Sequence, residues 1–167
     1  MTQDEIAAAI AEFDAAIARD GGADTPWLAL QTLARKAIGA KLFTIMTVDM
    51  KNELARRAYT SDPVAYPTSG TKPIHRDRWF DVVHGAHRSF VANTIADIST
   101  VFGDHETIWA LGCGSVINIP VVVGGELLGT VNCLDVEHHY TPERVERSRL
   151  LALPAKLAFL AAGRAAA

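Results

Sequence analysis

The sequence predicts an α+β domain in which helices pack on one face of an antiparallel sheet. Two helical segments open the chain, two pairs of strands with short turns follow, and a long helix closes it. The chain has 167 residues, 49% of them hydrophobic, which is the size and apolar content of one domain with a packed core. We therefore expect a single domain over residues 1–167.

The first helix begins at a capping motif, because Thr2 is followed three residues later by Glu5. Apolar residues then recur at spacings of four, three and four and form one narrow stripe: Ile6, Ile10, Phe13 and Ile17. A stripe this narrow on an alanine-rich helix suits packing against another helix, in the same subunit or in a second copy. Together with the last helix, it predicts a homodimer contact.

The second helix and the first pair of strands follow. The helix is predicted to begin at Asp24 or Thr25 and to end near Gly39. Residues 42–49 are rich in β-branched and aromatic types, as in a buried strand. Residues 53–60 alternate between two faces, so the two segments are expected to form a hairpin.

The middle of the chain is irregular. Residues 61–77 carry three prolines and follow no period, which indicates a long loop, and loops of this length commonly have a function. A short helix is predicted over residues 79–88 and a short strand over 90–92. Irregular helical turns are predicted from Ile95 to Trp109.

The last third of the chain has the clearest pattern. Two strands are predicted over 115–123 and 126–135, joined across Gly124 and Gly125, which supply the positive φ angles of a tight turn. A final helix begins at the cap residue Thr141.

Two features are expected to disturb this final helix. Pro154 should bend it, because the proline ring clashes with the carbonyl four residues earlier. The alanine-rich end from Gly163 is expected to fray.

Charge and composition exclude several classes of partner. The chain carries 16 Lys and Arg against 19 Asp and Glu, a net charge of −3, and no basic block, which argues against nucleic acid. The N-terminus is acidic, and no apolar run approaches the roughly 18 residues that cross a bilayer. We therefore expect a cytoplasmic protein without a membrane partner, in which Cys113 and Cys133 are free thiols.

The segment from Ser115 to Asp135, followed by Tyr140, Thr141 and the long helix, resembles the C-terminal half of a GAF domain. Residues 90–93 and 97–98 stand where GAF domains have a short strand leading to an Asp-containing turn. The resemblance implies a central antiparallel sheet with the N- and C-terminal helices on one face and ligand-covering loops on the other. It also implies a small-molecule sensor whose pocket lies between the sheet and the loops after the first hairpin.

The candidate ligand-binding residues are polar and aromatic side chains of this region, together with one asparagine of the last strand. They are Tyr59, Tyr66, Trp79, His84, Arg88, Asp97, Trp109 and Asn132. An Arg in the wall would suit a carboxylate or phosphate. For Asn118 a structural role is favoured. The expected ligand is a small polar or aromatic metabolite.

No cofactor and no metal is predicted. A helix would bring His84, His87 and Asp81 to one side, which is a possible arrangement for binding a metal ion. The further ligands that such a site needs cannot be named. The cyclic-nucleotide pattern of GAF domains is disfavoured, because Asn132 is followed by Cys133 instead of lysine. A bilin is disfavoured because neither cysteine stands beside a histidine.

Two alternatives to a sensor remain open. Free methionine-(R)-sulfoxide reductases resemble GAF domains of about this length. In such an enzyme Cys113, which its flanking glycines are expected to leave accessible, would be the nucleophile. Its surroundings differ from the enzyme's cysteine pattern. The second alternative is a structural dimerisation module, in which the central loop would be unimportant.

Overall fold

The computed structural model describes residues 1–19 and 21–165. Its sheet has six strands, antiparallel throughout, in the order β3-β2-β1-β6-β5-β4. The strands are β1 (Leu42–Asp49), β2 (Leu54–Thr60), β3 (Lys72–Pro73), β4 (Phe90–Ala92), β5 (Ser115–Val123) and β6 (Glu126–Asp135). The α+β prediction is confirmed. The two-residue strand β3 was missed, since a segment with prolines at positions 67 and 73 gives no strand pattern.

The helices fall into two groups. The first group opens and closes the chain: α1 (Gln3–Ile17), α2 (Thr25–Ala37), α6 (Pro142–Arg147) and α7 (Ala152–Ala165). The second group consists of short turns in the middle of the chain: α3 (Arg78–Phe80), α4 (Ile95–Ser99) and α5 (His105–Ala110). A π-helical turn, Asp81–Gly85, follows α3. In place of the predicted helix over 79–88 there is thus one short α-helical turn and one wider π-helical turn, which ends at Gly85.

One face of the sheet packs against α1, α2 and α7. Side chains that alternate along β1, β5 and β6 point into this core, among them Phe43, Ile117 and Cys133. Trp27 of α2 meets Phe159 of α7 edge-to-face at 4.9 Å between ring centroids. Such aromatic pairs contribute beyond the apolar area that they bury. We call this the helix face of the sheet.

The capping box of α1 is present as predicted, and the apolar stripe of α1 is used inside the subunit. Phe13 is 4% exposed in the helix-face core, and Ile10 and Ile17 pack against the same cluster. Three of the four stripe residues are therefore packed within the subunit, and the dimer contact through α1 stays a prediction.

The opposite face carries a smaller core under the middle segment, and we call it the cavity face. Leu42, Val116 and Leu134 of the sheet contact Val83 of the π-helical turn and Ile108 of α5. The middle of the chain is thereby held over one side of the sheet, as the resemblance implied.

The closing helix is interrupted where the proline requires it. A 3-10 turn, Ser148–Leu151, separates α6 from α7. It contains Leu150, whose carbonyl the ring of Pro154 would meet in a continuous α-helix. The α7 helix continues through Gly163 to Ala165, and the last two residues, on which the predicted fraying also falls, lie outside the described part.

Candidate functional site

A row of polar side chains crosses the middle of the cavity face. Thr44 of β1 pairs with Asn132 of β6, which pairs in turn with Asn118 of β5. Their sequence neighbours Phe43 and Cys133 point to the helix face, so the pleat turns the polar residues to the cavity face. All three are buried.

Side-chain hydrogen bonds join this row into a chain that begins in the middle segment. The indole Nε1 of Trp79 donates to Asn118 Oδ1 at 2.9 Å, and Asn118 Nδ2 donates to Asn132 Oδ1 at 2.7 Å. Asn132 Nδ2 then donates to the Thr44 hydroxyl at 3.2 Å. We call these four residues the amide row. The amide row links the middle segment of the chain, through Trp79, to the central strands of the sheet.

A cavity of about 400 Å³ lies over the amide row. Its walls are mainly aromatic and aliphatic: Met46, Tyr66, Trp79, Phe102, Ile108, Val116 and Leu134. Apolar walls with a few fixed polar groups are the usual design of a small-molecule site. The volume falls within the range of roughly 300–1,000 Å³ typical of such sites.

Arg57, Tyr66 and Asp104 form the charged side of the cavity. The guanidinium carbon of Arg57 lies 3.7 Å from the centroid of the Tyr66 ring, and a guanidinium nitrogen lies 3.7 Å from Asp104 Oδ2. The Tyr66 hydroxyl donates to the same carboxylate at 2.5 Å. Burial, and then the Asp104 charge, raise the pKa of Tyr66, so this hydroxyl stays protonated.

The hydroxyl of Thr130 is an unsatisfied polar group in the cavity lining. Thr130 has no exposed surface, and its Oγ1 has no hydrogen-bond partner among the described residues. It stands on β6 beside the amide row and lines the 400 Å³ cavity. A buried hydroxyl without a partner is costly to the folded state, and this one has no surface that a molecule in the cavity would contact.

A smaller cavity of about 220 Å³ adjoins the first and shares Lys72, His75 and Trp79 with it. His84 lines this smaller cavity, and neither of its ring nitrogens has a partner among the described residues. Its ring lies 4.7 Å from that of Phe80. Burial, and then the neighbouring His87, lower the pKa of His84, which favours the neutral imidazole.

The structure brings four of the eight predicted ligand residues together. Tyr66, Trp79 and Asn132 line the larger cavity, and His84 lines the adjoining one.

The other four predicted residues lie elsewhere. Arg88 is exposed beyond the π-helical turn, and Asp97 is exposed at the start of α4, where it accepts a hydrogen bond from Thr94. Trp109 is 54% exposed on the outer side of α5. Tyr59 points to the helix face and donates from its hydroxyl to Gln31 Oε1.

A β-bulge explains the position of Tyr59. Tyr59 pairs with Ile45, whereas Arg57 pairs with Met46, the next residue of β1. Strict alternation would place Tyr59 and Arg57 on one face, but the extra residue, Ala58, turns them to opposite faces. Arg57 consequently reaches the cavity and Tyr59 does not.

Cys113 is not the accessible thiol that its glycine neighbours suggested. It has no exposed surface and packs in the cavity-face core, and burial is the main cause that raises the pKa of its thiol to about 11. Cys133 is buried in the helix-face core on the other side of the sheet. The two sulfurs therefore belong to different faces.

Sequence reasoning missed several residues of the cavity. They are Thr44, Thr130, Arg57, Asp104, Lys72 and His75, and Asn118 was assigned only a structural role. A signal was present for the strand residues, because Thr44, Asn118, Thr130 and Asn132 are polar residues inside largely apolar strands. No sequence signal marked Asp104.

Among residues 1–19 and 21–165, no group of three or more His, Cys, Asp or Glu side chains could hold a metal ion. In the same residues, no helix combines the length and the apolar character that spanning a membrane requires.

Solved structures show the same fold. The GAF domain of a two-component sensor histidine kinase from Bacillus halodurans is 9% identical and superposes with a TM-score of 0.66, over 82% of this chain and 92% of that one. A free methionine-R-sulfoxide reductase from Neisseria meningitidis, solved with its substrate, is 15% identical with a TM-score of 0.64, over 99% and 96%. The chromophore-binding domain of a bacteriophytochrome from R. palustris is 12% identical with a TM-score of 0.62, over 98% and 61%.

No family model and no curated protein matches the sequence. The chain nevertheless has the GAF fold, as the residues from Ser115 to Asp135 predicted.

Proposed function

We propose that this protein is a sensor-type domain that binds a small metabolite in the cavity over the amide row. The observation that carries the proposal is the cavity itself, about 400 Å³ in volume, with apolar walls over a floor of hydrogen-bonded polar side chains. Each asparagine nitrogen of that floor uses one N–H in the row and keeps a second, from which a ligand atom would accept. The two proteins in the comparison that are described with a substrate or chromophore have the same fold, which supports a ligand here.

The surroundings of Cys113 favour binding over cysteine chemistry. A thiol with its pKa near 11 is protonated at neutral pH, and the thiolate is the nucleophile. The second cysteine faces the other side of the sheet, so it is badly placed to resolve an oxidised Cys113. The proposal therefore contains no catalytic step.

The hydrogen bonding of the cavity floor is tested by the same chemical change at two neighbouring threonines. Thr130→Val removes a hydroxyl that has no partner, so the ligand-free protein is expected to gain about 1 kcal/mol in the free energy of unfolding. Thr44→Val leaves Asn132 Nδ2 without its acceptor, so it should lose about 1–3 kcal/mol. Urea unfolding of the ligand-free proteins measures both.

The ligand itself is sought by melting the protein with a panel of amino acids, carboxylic acids, nucleobases and amines. A ligand that binds only the folded state stabilises it by about 2.7 kcal/mol at 100 times its Kd. The wild type should show a rise in Tm with at least one compound, and Thr44→Val, which removes a hydroxyl from the floor of the cavity, should show a smaller rise with the same compound. A panel without any shift would contradict a binding function.

The proposal includes a homodimer through α7. Leu153, Leu157 and Leu160 are 67%, 45% and 48% exposed and recur at helical spacing, so they form one apolar stripe on the surface. A second copy would cover the stripe with its own, as in a two-fold interface.

The dimer is checked by light scattering after size exclusion. The wild type is expected to be a dimer, and Leu157→Asp a monomer with an unchanged far-ultraviolet spectrum. Val64→Asp is the matched control, because Val64 is 91% exposed on the loop over the other face of the sheet. A monomeric wild type would refute this part of the proposal.

A further inference from the structure

The direction of hydrogen bonding along the amide row is fixed by one group. The indole Nε1 of Trp79 can only donate, so the amide oxygen of Asn118 must face it. The Asn118 nitrogen is then turned to Asn132, where it meets the oxygen of that amide. The Asn132 nitrogen is turned in the same way to Thr44. Neither amide can flip without breaking a bond with Trp79 or with its neighbour.

This direction leaves hydrogen-bond donors for a bound molecule. Each amide nitrogen uses one N–H in the row and keeps a second. The Thr44 hydroxyl accepts from Asn132 and keeps its own hydrogen. Both amide oxygens already accept a bond within the row. The floor of the cavity therefore has three spare donors, two N–H and one O–H, on neighbouring strands.

The charged side chains around the cavity favour a ligand with a negative charge, which also accepts hydrogen bonds. Arg57, 17% exposed, and Lys72 contribute two cations to its lining, and His75 adds an imidazole. Asp104 is the one carboxylate among the described residues that line this cavity, and it is already engaged by the Tyr66 hydroxyl and by Arg57. A ligand with a negative charge would balance the remaining cation.

The rest of the lining is apolar. Phe102, Ile108 and Val116 offer no hydrogen bond from their side chains and suit an aromatic or aliphatic group. We infer that the cavity binds a small carboxylate with an aromatic or apolar body, its carboxylate oxygens accepting from the amide row and facing Arg57 and Lys72. This inference rests on the proposed binding function and names the ligand class of the same site.

The inference is tested with three matched probes and their indole analogues. Phenylacetate, phenylacetamide and phenethylamine share one body and differ in the group that would meet the amide row, as do indole-3-acetate, indole-3-acetamide and tryptamine. Calorimetry on the full chain measures each Kd. The carboxylate of each set is expected to bind at least about tenfold more tightly than the amide, because charge-assisted hydrogen bonds are about twice as strong as neutral ones. The amine is expected to bind most weakly.

Two variants assign the preference to the named groups. Asn132→Asp keeps an acceptor for Asn118 and for the Thr44 hydroxyl, but it removes the spare N–H and adds a negative charge. It should weaken carboxylate binding by about 100-fold, since a like charge and a lost donor both act against it. Gln3→Glu, which adds the same charge on the exposed start of α1, should leave all Kd values unchanged.

Lys72→Met tests the same inference if Asn132→Asp does not fold, because Lys72 is exposed and its replacement does not disturb the core. It should weaken carboxylate binding about three- to tenfold and leave the amide unchanged, because only an ionised ligand gains from this charge. Lys156→Met on α7, on the other side of the sheet, is its control.

The outcomes separate the inference from the binding proposal. An amide or amine that binds as tightly as its carboxylate would overturn the inference and leave a binding protein. So would an unchanged preference in Lys72→Met, or a metabolite of another class that binds when no probe does. If no probe and no metabolite binds, the proposed function itself fails.

Discussion

Gly129→Ala is expected to destabilise the protein by at least about 2 kcal/mol, since a steric clash and backbone strain each cost roughly 1–3 kcal/mol. Gly129 lies in β6 with φ at 155°, where residues with a Cβ are strained. The added Cβ would stand 2.0 Å from the carbonyl oxygen of Met46 and 2.8 Å from the Phe159 ring. One is backbone of the neighbouring strand and the other is packed core, so neither can move away freely. Urea unfolding gives the size of the effect.

The effect of Gly129→Ala should extend to the cavity. Met46 and Thr130 both line it, and they form the ladder pair next to Gly129. Gly163→Ala is the control, because no atom lies within 4 Å of the Cβ that it would add in α7. An exposed helical Gly→Ala change is expected to be neutral or to stabilise by up to about 1 kcal/mol. Equal unfolding free energies of Gly129→Ala and the wild type would contradict the clash.

Asn118→Leu should have the second large effect, because it removes the partner of two groups at once. The indole N–H of Trp79 loses its acceptor and Asn132 Oδ1 loses its donor. A buried group left unpaired costs about 1–3 kcal/mol, so the variant should lose about 2–4 kcal/mol in all. Trp79 should also become more exposed to solvent, which its fluorescence reports.

A double-mutant cycle separates the hydrogen bond from the packing. In Trp79→Phe the donor is gone, so the same Asn118→Leu change should then cost about 1 kcal/mol less than it does alone. Strictly additive changes in the free energy of unfolding would show that the hydrogen bond between Trp79 and Asn118 contributes nothing to stability. Leu160→Ala on the exposed stripe of α7 is a suitable third position, because it has no contact with the amide row and should be additive with both.

The elements with regular patterns could be predicted from the sequence. The strands over 42–49, 115–123 and 126–135 are confirmed at the same residues, because each has a strong apolar pattern bounded by a turn. The α1 cap is confirmed for the same reason, since it depends on two residues three apart.

The candidate site was harder to predict because it depends on pairing between distant segments. The contact between Trp79 and Asn118 joins residues 39 apart, and that between Asn132 and Thr44 joins residues 88 apart. Composition selected Trp79 and Asn132 as candidates, but only the strand register places Thr44 beside them. Arg57 was missed because a bulge is invisible to a rule of strict alternation.

That bulge makes the pairing register of β2 a determinant of what the protein can hold. With Ala58 inserted, the strand sends a guanidinium to one side and a phenol to the other. If Ala58 instead took a regular place in the ladder, strict alternation would put Arg57 and Tyr59 on the same side without replacing either of them. The electrostatic character of this interior therefore depends on one bulged residue, and a designer who transplants the site must copy the register of the strand along with its side chains.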